Sequence, residues 1–303
     1  EKEKPVYTSL SKALRNSKKV YKLDLRNNGF TAFPEDIFKL ENLEVLILDS
    51  NKISTVPKAI GSLKHLQLLS LSYNELETLP DEISECDELW SLYLDHNKLK
   101  SLPEKFFLLK KLGKLGLKKN ELTALPPDIR LLQELYVLDC AYNNIKKIPD
   151  EIGYLFNMSS MSFDGNKIRT LPPHFFELTN LKILYLAGNE LEKVDTGFVK
   201  LKKLEVLALE KNKINRIASN FGDLGSLKKL YIGNNLLETL PDGMGNLYNL
   251  SLLDLDENPL KSIPPTFKEL RNLKTLYVKG IEIKPFPQVY FDMAANNTKI
   301  DGL

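Results

Sequence analysis

The chain has 303 residues, with 42 Lys and Arg against 40 Asp and Glu, a net charge of +2, and 43% hydrophobic and 27% charged residues. This is the balance of a soluble folded chain, and it lacks the basic footprint that binding to nucleic acid requires. No apolar run reaches the roughly 18 residues that span a bilayer, and no signal-peptide pattern opens the chain.

Residues 1–19 read as an N-terminal cap. Glu1 to Pro5 is charged and expected to fray. Ser9 to Asn16, SLSKALRN, reads as a capped helical turn whose Leu10, Ala13 and Leu14 cover the open end of a core. A start at Glu1 rather than Met is compatible with a leader already removed.

From Val20 to Ala295 a unit of 23 residues recurs twelve times without insertion or deletion. In the second unit, apolar residues fall at Leu43, Leu46 and Leu48 before Asn51, and at Ile53, Val56, Ile60 and Leu63 after it, with Pro57 behind Val56. Around Leu46 and Leu48 the period is two, which predicts a short strand with Val45, Ile47 and Asp49 on the opposite face. One strand cannot bury its apolar side alone, so the units are expected to stack their strands about 4.8 Å apart into a parallel sheet over a continuous leucine core. The second half of each unit spaces its apolar residues at three and four, which suits a short helical or 3₁₀ turn started by proline. This outer arc is bulkier than a strand, so the sheet is expected on a concave side.

Asparagine marks the unit at Asn28, Asn51, Asn74, Asn97, Asn120, Asn143, Asn166, Asn189, Asn212, Asn235 and Asn258. A side-chain amide there can satisfy backbone groups of the turn and of the neighbouring coil, so these residues read as a buried structural ladder. Asp195 and Ala218 stand where proline stands in the other ten units, which predicts altered outer-wall geometry around them. In the twelfth unit Ile281 replaces the asparagine, and Phe286, Tyr290 and Met293 are expected to close the core. Residues 296–303 read as a short polar tail.

The motif LxxLxLxxNxLxxLPxxIxxL at a fixed spacing of 23 resembles the Ras-suppressor-like, plant intracellular Ras-group and Shoc-type class of leucine-rich repeat proteins over residues 20–295. The opening YTSLSKALRNSKKVYKLDLRNNGF is most similar to bacterial members, with Ser17 where those carry proline. The resemblance implies a right-handed α/β horseshoe solenoid. It also implies protein binding through the concave sheet.

No chemistry competes with that reading. His65, His96 and His174 fall at three different places in the unit, so neither a catalytic triad nor a zinc site can be built from them. Cys140 at a strand position and Cys86 on the outer wall read as small buried hydrophobes, too far apart to join. No enzyme activity, metal or cofactor is expected.

The outward positions of the strands then become the candidates. Trp90, Tyr93 and His96 run along one strand and Tyr136, Asp139 and Tyr142 along the next but one, with Gly113 and Gly116 between them. The sequence therefore predicts a dent walled by aromatics and edged by Lys114, Lys118 and Lys119, because exposed tyrosine and tryptophan are the usual anchors of interfaces. A second row is Tyr185, Tyr231 and Tyr277. Six cations on this face, Lys22, Arg26, Lys114, Lys118, Lys229 and Lys279, oppose eight acids, Asp24, Asp49, Asp95, Asp139, Asp164, Glu210, Asp254 and Asp256, so the field is mixed. The expected function is a monomeric protein-binding scaffold, cytoplasmic or exported after loss of a leader. Its rivals are an exported structural or adhesion protein and a docking module of a larger signalling protein.

Overall fold

The computed structural model describes residues 4–283 and 287–302. Phe286 lies outside them, as do residues 1–3 of the expected frayed start and residue 303. Backbone packing separates two compact units, Glu1–Asn144 and Ile145–Leu303.

In the first unit, strands β2 (Lys22–Asp24), β3 (Val45–Ile47), β4 (Leu68–Ser70), β5 (Ser91–Tyr93), β6 (Lys114–Gly116) and β7 (Val137–Asp139) form a parallel sheet in chain order. Each step pairs residues 23 apart, so Leu23, Leu46, Leu69, Leu92, Leu115 and Leu138 lie side by side. All six leucines are buried, while the residues flanking them on the strand face away from the core. A strand that the repeat does not announce, β1 (Val6–Tyr7), precedes them and pairs with β2. The helical turn expected at Ser9 to Asn16 is present as α1 (Leu10–Leu14), and Ala13 is its buried residue. Its predicted cap is absent: the Ser9 side chain makes no capping bond and instead meets the Ser11 hydroxyl at 3.0 Å.

In the second unit, β8 (Ser160–Ser162), β9 (Ile183–Tyr185), β11 (Val206–Ala208), β13 (Lys229–Tyr231), β14 (Leu252–Asp254) and β15 (Thr275–Tyr277) form a parallel sheet with the same spacing. Met161 and Phe163 take strand-leucine places and are fully buried. The expected polar tail is corrected here. Residues 299–301 form β16 (Lys299–Asp301), which pairs with β15, and the buried Thr298 hydroxyl donates to the Leu273 carbonyl at 2.8 Å. Before it, α2 (Gln288–Ala295) buries Val289, Tyr290 and Met293. Burial pushes the Tyr290 hydroxyl up to about 12.

The outer half of every regular coil is a five-residue 3₁₀ turn, such as Lys58–Ser62 after Pro57 or Pro265–Glu269 after Pro264. The two coils without proline do differ. Ala218 retains the amide that proline lacks, and donates it to the Val194 carbonyl at 2.8 Å. This extends a separate parallel pair, β10 (Lys193–Val194) with β12 (Arg216–Ile217), on the outer side. Asp195 caps its turn through Oδ1, which accepts the Gly197 amide at 3.0 Å.

The asparagine ladder is directional. Asn120, for example, donates to the Leu94 carbonyl of the preceding coil at 2.9 Å and to its own Leu117 carbonyl at 3.1 Å, and accepts the Leu99 amide at 3.0 Å. Asn51, Asn74, Asn97, Asn120 and Asn143 in the first unit, and Asn166, Asn189, Asn212, Asn235 and Asn258 in the second, are buried. Asn28 is the exception: it is exposed, its side chain donates within its own coil to the Arg26 carbonyl at 2.9 Å, and its backbone amide donates to Asn51 Oδ1 at 3.1 Å. The side chain reaches backward, and Asn28 stands at the first coil.

Candidate protein-binding face

In the first unit, β5, β6 and β7 place the predicted residues side by side. Register sets Tyr93 opposite Gly116 and Gly116 opposite Asp139. The dent expected over the glycines is filled. A Cβ on Gly113 would lie 2.7 Å from Tyr136 Cε1, and one on Gly116 would lie 2.8 Å from Asp95 Oδ2. The missing side chains therefore make room for the Tyr136 ring and the Asp95 carboxylate. Trp90 remains 40% exposed and Tyr142 51% exposed. The lysines that were expected to edge a dent lie over these rings instead. Lys114 Nζ stands 5.2 Å from the Trp90 ring centre and 5.7 Å from that of Tyr136, and Lys118 and Lys119 stand 5.5 and 5.9 Å from that of Tyr142. Such contacts hold both partners in place without removing the charge.

An open depression of this unit lies nearer the N-terminus, a cavity of about 500 Å³ lined by Asp49, Ser70, Tyr73, Tyr93, Asp95 and His96, with Arg26 and Lys118 also at its edge. Tyr93, His96 and Lys118 were legible as candidates. Tyr73 was not, although its ring stacks on His96 with centres 4.0 Å apart. The signal that would have found it is its place in the unit, directly before a ladder asparagine, which it shares with His96 and Tyr142.

The acids of this face have internal work. Asp49 accepts the Ser72 amide at 2.9 Å and the Ser70 hydroxyl, Asp95 accepts the Lys118 amide at 2.8 Å, and Asp139 accepts the Ala141 amide at 2.9 Å. Burial pushes the Asp95 carboxyl up, and the bond from Lys118 pulls the other way. His96 is held below its ordinary value by burial first, then by Lys119 and Lys118.

In the second unit, Tyr185, Tyr231 and Tyr277 stand at the last position of β9, β13 and β15. Ala208 pairs with both Tyr185 and Tyr231 and is buried between them. Burial raises Tyr231, as do Tyr185, Glu210, Tyr277 and Asp254. Glu210 is itself raised, by burial first and then by Asp164 and Asp254, and its Oε2 is buried without a hydrogen-bond partner. Of the other acids here, Asp164 accepts the Ala187 amide at 2.7 Å and Asp256 the Lys279 amide at 2.6 Å.

Among the described residues, no three His, Cys, Asp or Glu side chains are grouped to hold a metal ion, and no helix is long and apolar enough to cross a membrane. His174 bonds Asp150 on the outer side of the second unit, in a coil separate from the tyrosine row.

The family described as Leucine rich repeat matches residues 18–76, 57–99, 133–191, 156–214, 179–237 and 225–281. No curated protein matches the sequence significantly. Among solved structures, the chain is similar to a leucine-rich repeat protein of Leptospira interrogans, at 31% identity over 98% of this chain and 81% of that one, with a TM-score of 0.88. It is similar in fold to an internalin of Listeria monocytogenes, at 23% identity over 96% of this chain and 84% of that one, with a TM-score of 0.85. The fold is also that of a plant peptide hormone receptor solved in complex with RGF2, at 24% identity over 92% of this chain and 54% of that one, with a TM-score of 0.67. A stack of 23-residue coils, a backward-reaching asparagine ladder and the family match agree, and this chain belongs to the leucine-rich repeat family.

Proposed function

We propose that this chain is a monomeric, non-enzymatic scaffold that binds a protein partner through the outward face of its sheet. The residues assigned to contact are Trp90, Tyr93, His96, Lys114, Lys118, Tyr136, Asp139 and Tyr142 in the first unit, and Tyr185, Tyr231 and Tyr277 in the second. The observation that carries the reading is the exposed Trp90 and Tyr142 rings with lysines over them, Lys114 at 5.2 Å from Trp90 and Lys118 at 5.5 Å from Tyr142. Large rings held in place lose little entropy on binding, which makes them effective anchors. The plant receptor of the same fold holds a partner, RGF2. The finer kinship, with the Ras-suppressor and Shoc-type class and its bacterial members, rests on the 23-residue motif and on the opening segment. The terminal strands β1 and β16 are short and β16 carries Lys299 and Asp301, features that discourage edge-to-edge association.

The test is affinity capture from extract with the parent chain and with Trp90→Ala/Tyr93→Ala, after thermal melts show that both fold. Loss of a captured protein by the variant, corresponding to at least about 2 kcal/mol, supports the face as the site. Equal capture by both moves binding to another surface. Capture by neither favours the rival structural or adhesion role, and light scattering that gives more than one chain's mass would remove the monomer.

A further inference from the structure

Between the asparagine ladder and the outer turn, each coil has a short connecting segment, and these segments form one wall of each unit. In the first unit, residues 29–34, 52–57, 75–80, 98–103 and 121–126 carry three lysines and three glutamates. In the second, residues 145–149, 167–172, 190–195 and 213–218 carry Lys or Arg seven times and Asp or Glu three times. The next two segments, 236–241 and 259–264, return to one of each sign in total. The cationic surplus is therefore local to four coils.

The residue directly after the ladder alternates in sign, so that Lys98 pairs with Glu75 at 3.0 Å in the first unit and Lys213 with Glu190 at 3.3 Å in the second. The surplus sits two and three places later, at Lys146, Lys147, Arg169, Lys193 and Arg216, against Glu192 in the same places and Asp195 just beyond. All five cations are exposed. Lys193 and Arg216 are direct partners in the β10–β12 pair, and like charges set opposite each other on neighbouring strands repel. Folding gains nothing from this crowding, so it points to an anion that the wall holds.

Part of the surplus lines a cavity of about 340 Å³, formed by Lys146, Lys147, Lys167, Arg169, Thr170 and Glu190. Four cations there meet one acid. Glu190 keeps its charge, but Arg169 at 3.1 Å and Lys213 at 3.3 Å both bond it; among the described residues, Lys146 and Lys147 are in no ion pair. Lysine and arginine offer only donors, Thr170 adds a hydroxyl, and the single carboxylate is engaged, so a ligand must accept hydrogen bonds and bring more than one negative charge. Phosphate does both. The cavity has room for roughly ten water-sized groups at about 30 Å³ each, enough for two linked phosphates.

We propose that this cavity binds a phosphate-bearing ligand, with Lys146, Lys147 and Arg169 as its charged contacts. The site lies on a different wall from the outward face of the sheet and stands or falls apart from the protein-binding reading.

Calorimetry tests it with inorganic pyrophosphate, and with acetate at the same ionic strength. The expected result is saturable binding of pyrophosphate that weakens as salt rises, with acetate at least about tenfold weaker. In Lys146→Gln/Lys147→Gln that binding falls at least about tenfold, while the melting temperature stays or rises because repelling charges are gone. Lys98→Gln/Lys100→Gln, on the matching wall of the first unit, leaves it unchanged. No saturable binding of pyrophosphate, equal affinity for acetate, unchanged binding or a lowered melting temperature in Lys146→Gln/Lys147→Gln, or an equal loss in Lys98→Gln/Lys100→Gln would each overturn the proposal. Sedimentation with phosphatidylcholine vesicles, with and without phosphatidylinositol bisphosphate, separates the sources of the phosphate. Co-sedimentation that needs the phosphorylated lipid and is displaced by pyrophosphate makes the ligand a headgroup; pyrophosphate binding without co-sedimentation makes it a soluble compound.

Discussion

Asn120 and Asn28 occupy the same place in the repeat and do different things. Replacing Asn120 by Ala strands the Leu99 amide in the core and leaves the Leu94 carbonyl with the Asn97 amide alone, so urea melts of Asn120→Ala should show a loss of about 1–3 kcal/mol. The exposed Asn28 side chain bonds within its own coil, and alanine would keep the backbone amide that donates to Asn51, so Asn28→Ala should stay within about 0.5 kcal/mol of the parent. The position of the ladder was legible from spacing alone; the direction in which its side chains reach was not, because that depends on which neighbouring coil offers free backbone groups. The same limit applies to the acids. Counted as residues they balance the lysines, but Asp49, Asp95, Asp164 and Asp256 each bond an amide of the next coil. Glu210 is different, since its carboxyl is raised by burial and by neighbouring acids. A carboxyl raised on folding favours the fold when protonated, and that contribution is lost as pH rises through its folded value. Thermal melts of Glu210→Gln should therefore show a gain over the parent at pH 7.5 that shrinks as pH is lowered towards 4.

At the scale of elements, the strands and 3₁₀ turns of the repeat follow from its alternating leucines and its prolines. What escaped was out of phase. β16 begins at Lys299, 24 residues after its partner Thr275 instead of 23, and β1 lies wholly before the first unit. Pairing needs only an open edge, so neither strand had to carry the leucine pattern. Where proline is missing, the effect on the outer wall was foreseeable and its form was not: a freed amide at Ala218 and a side-chain cap at Asp195. Asp195→Ala removes the acceptor for the Gly197 amide and should cost about 1 kcal/mol in a denaturant melt. Leu207, fully buried in β11, tests the strand register itself, and Leu207→Ala should cost about 2–5 kcal/mol. A melt matching the parent would mean that the strand faces the other way. The candidate face divides similarly. Tyr93 could be read from alternation and Tyr142 from its place before a ladder asparagine, whereas the Tyr136 ring over Gly113 depends on a side-chain direction that no periodicity encodes.

For the whole molecule, the constant step of 23 residues means that a coil is a removable part, provided that the cut respects the step. Deleting residues 53–75, one full period, should leave a chain that melts cooperatively at a reduced temperature. Deleting residues 53–74 shifts every later leucine by one place, moving core residues to the open side, and circular dichroism should show loss of the cooperative transition. The two thiols of the first unit carry a different consequence. Cys86 is buried and raised to about 12 by that burial, with its Sγ 3.3 Å from the Ile60 carbonyl, and Cys140 is raised well above its ordinary value. Alkylating reagents attack the thiolate, so the closed fold resists them. Each cysteine is thus a native clock, its rate of modification timing how often its own coil breathes open, one near the outer wall and one at a strand end.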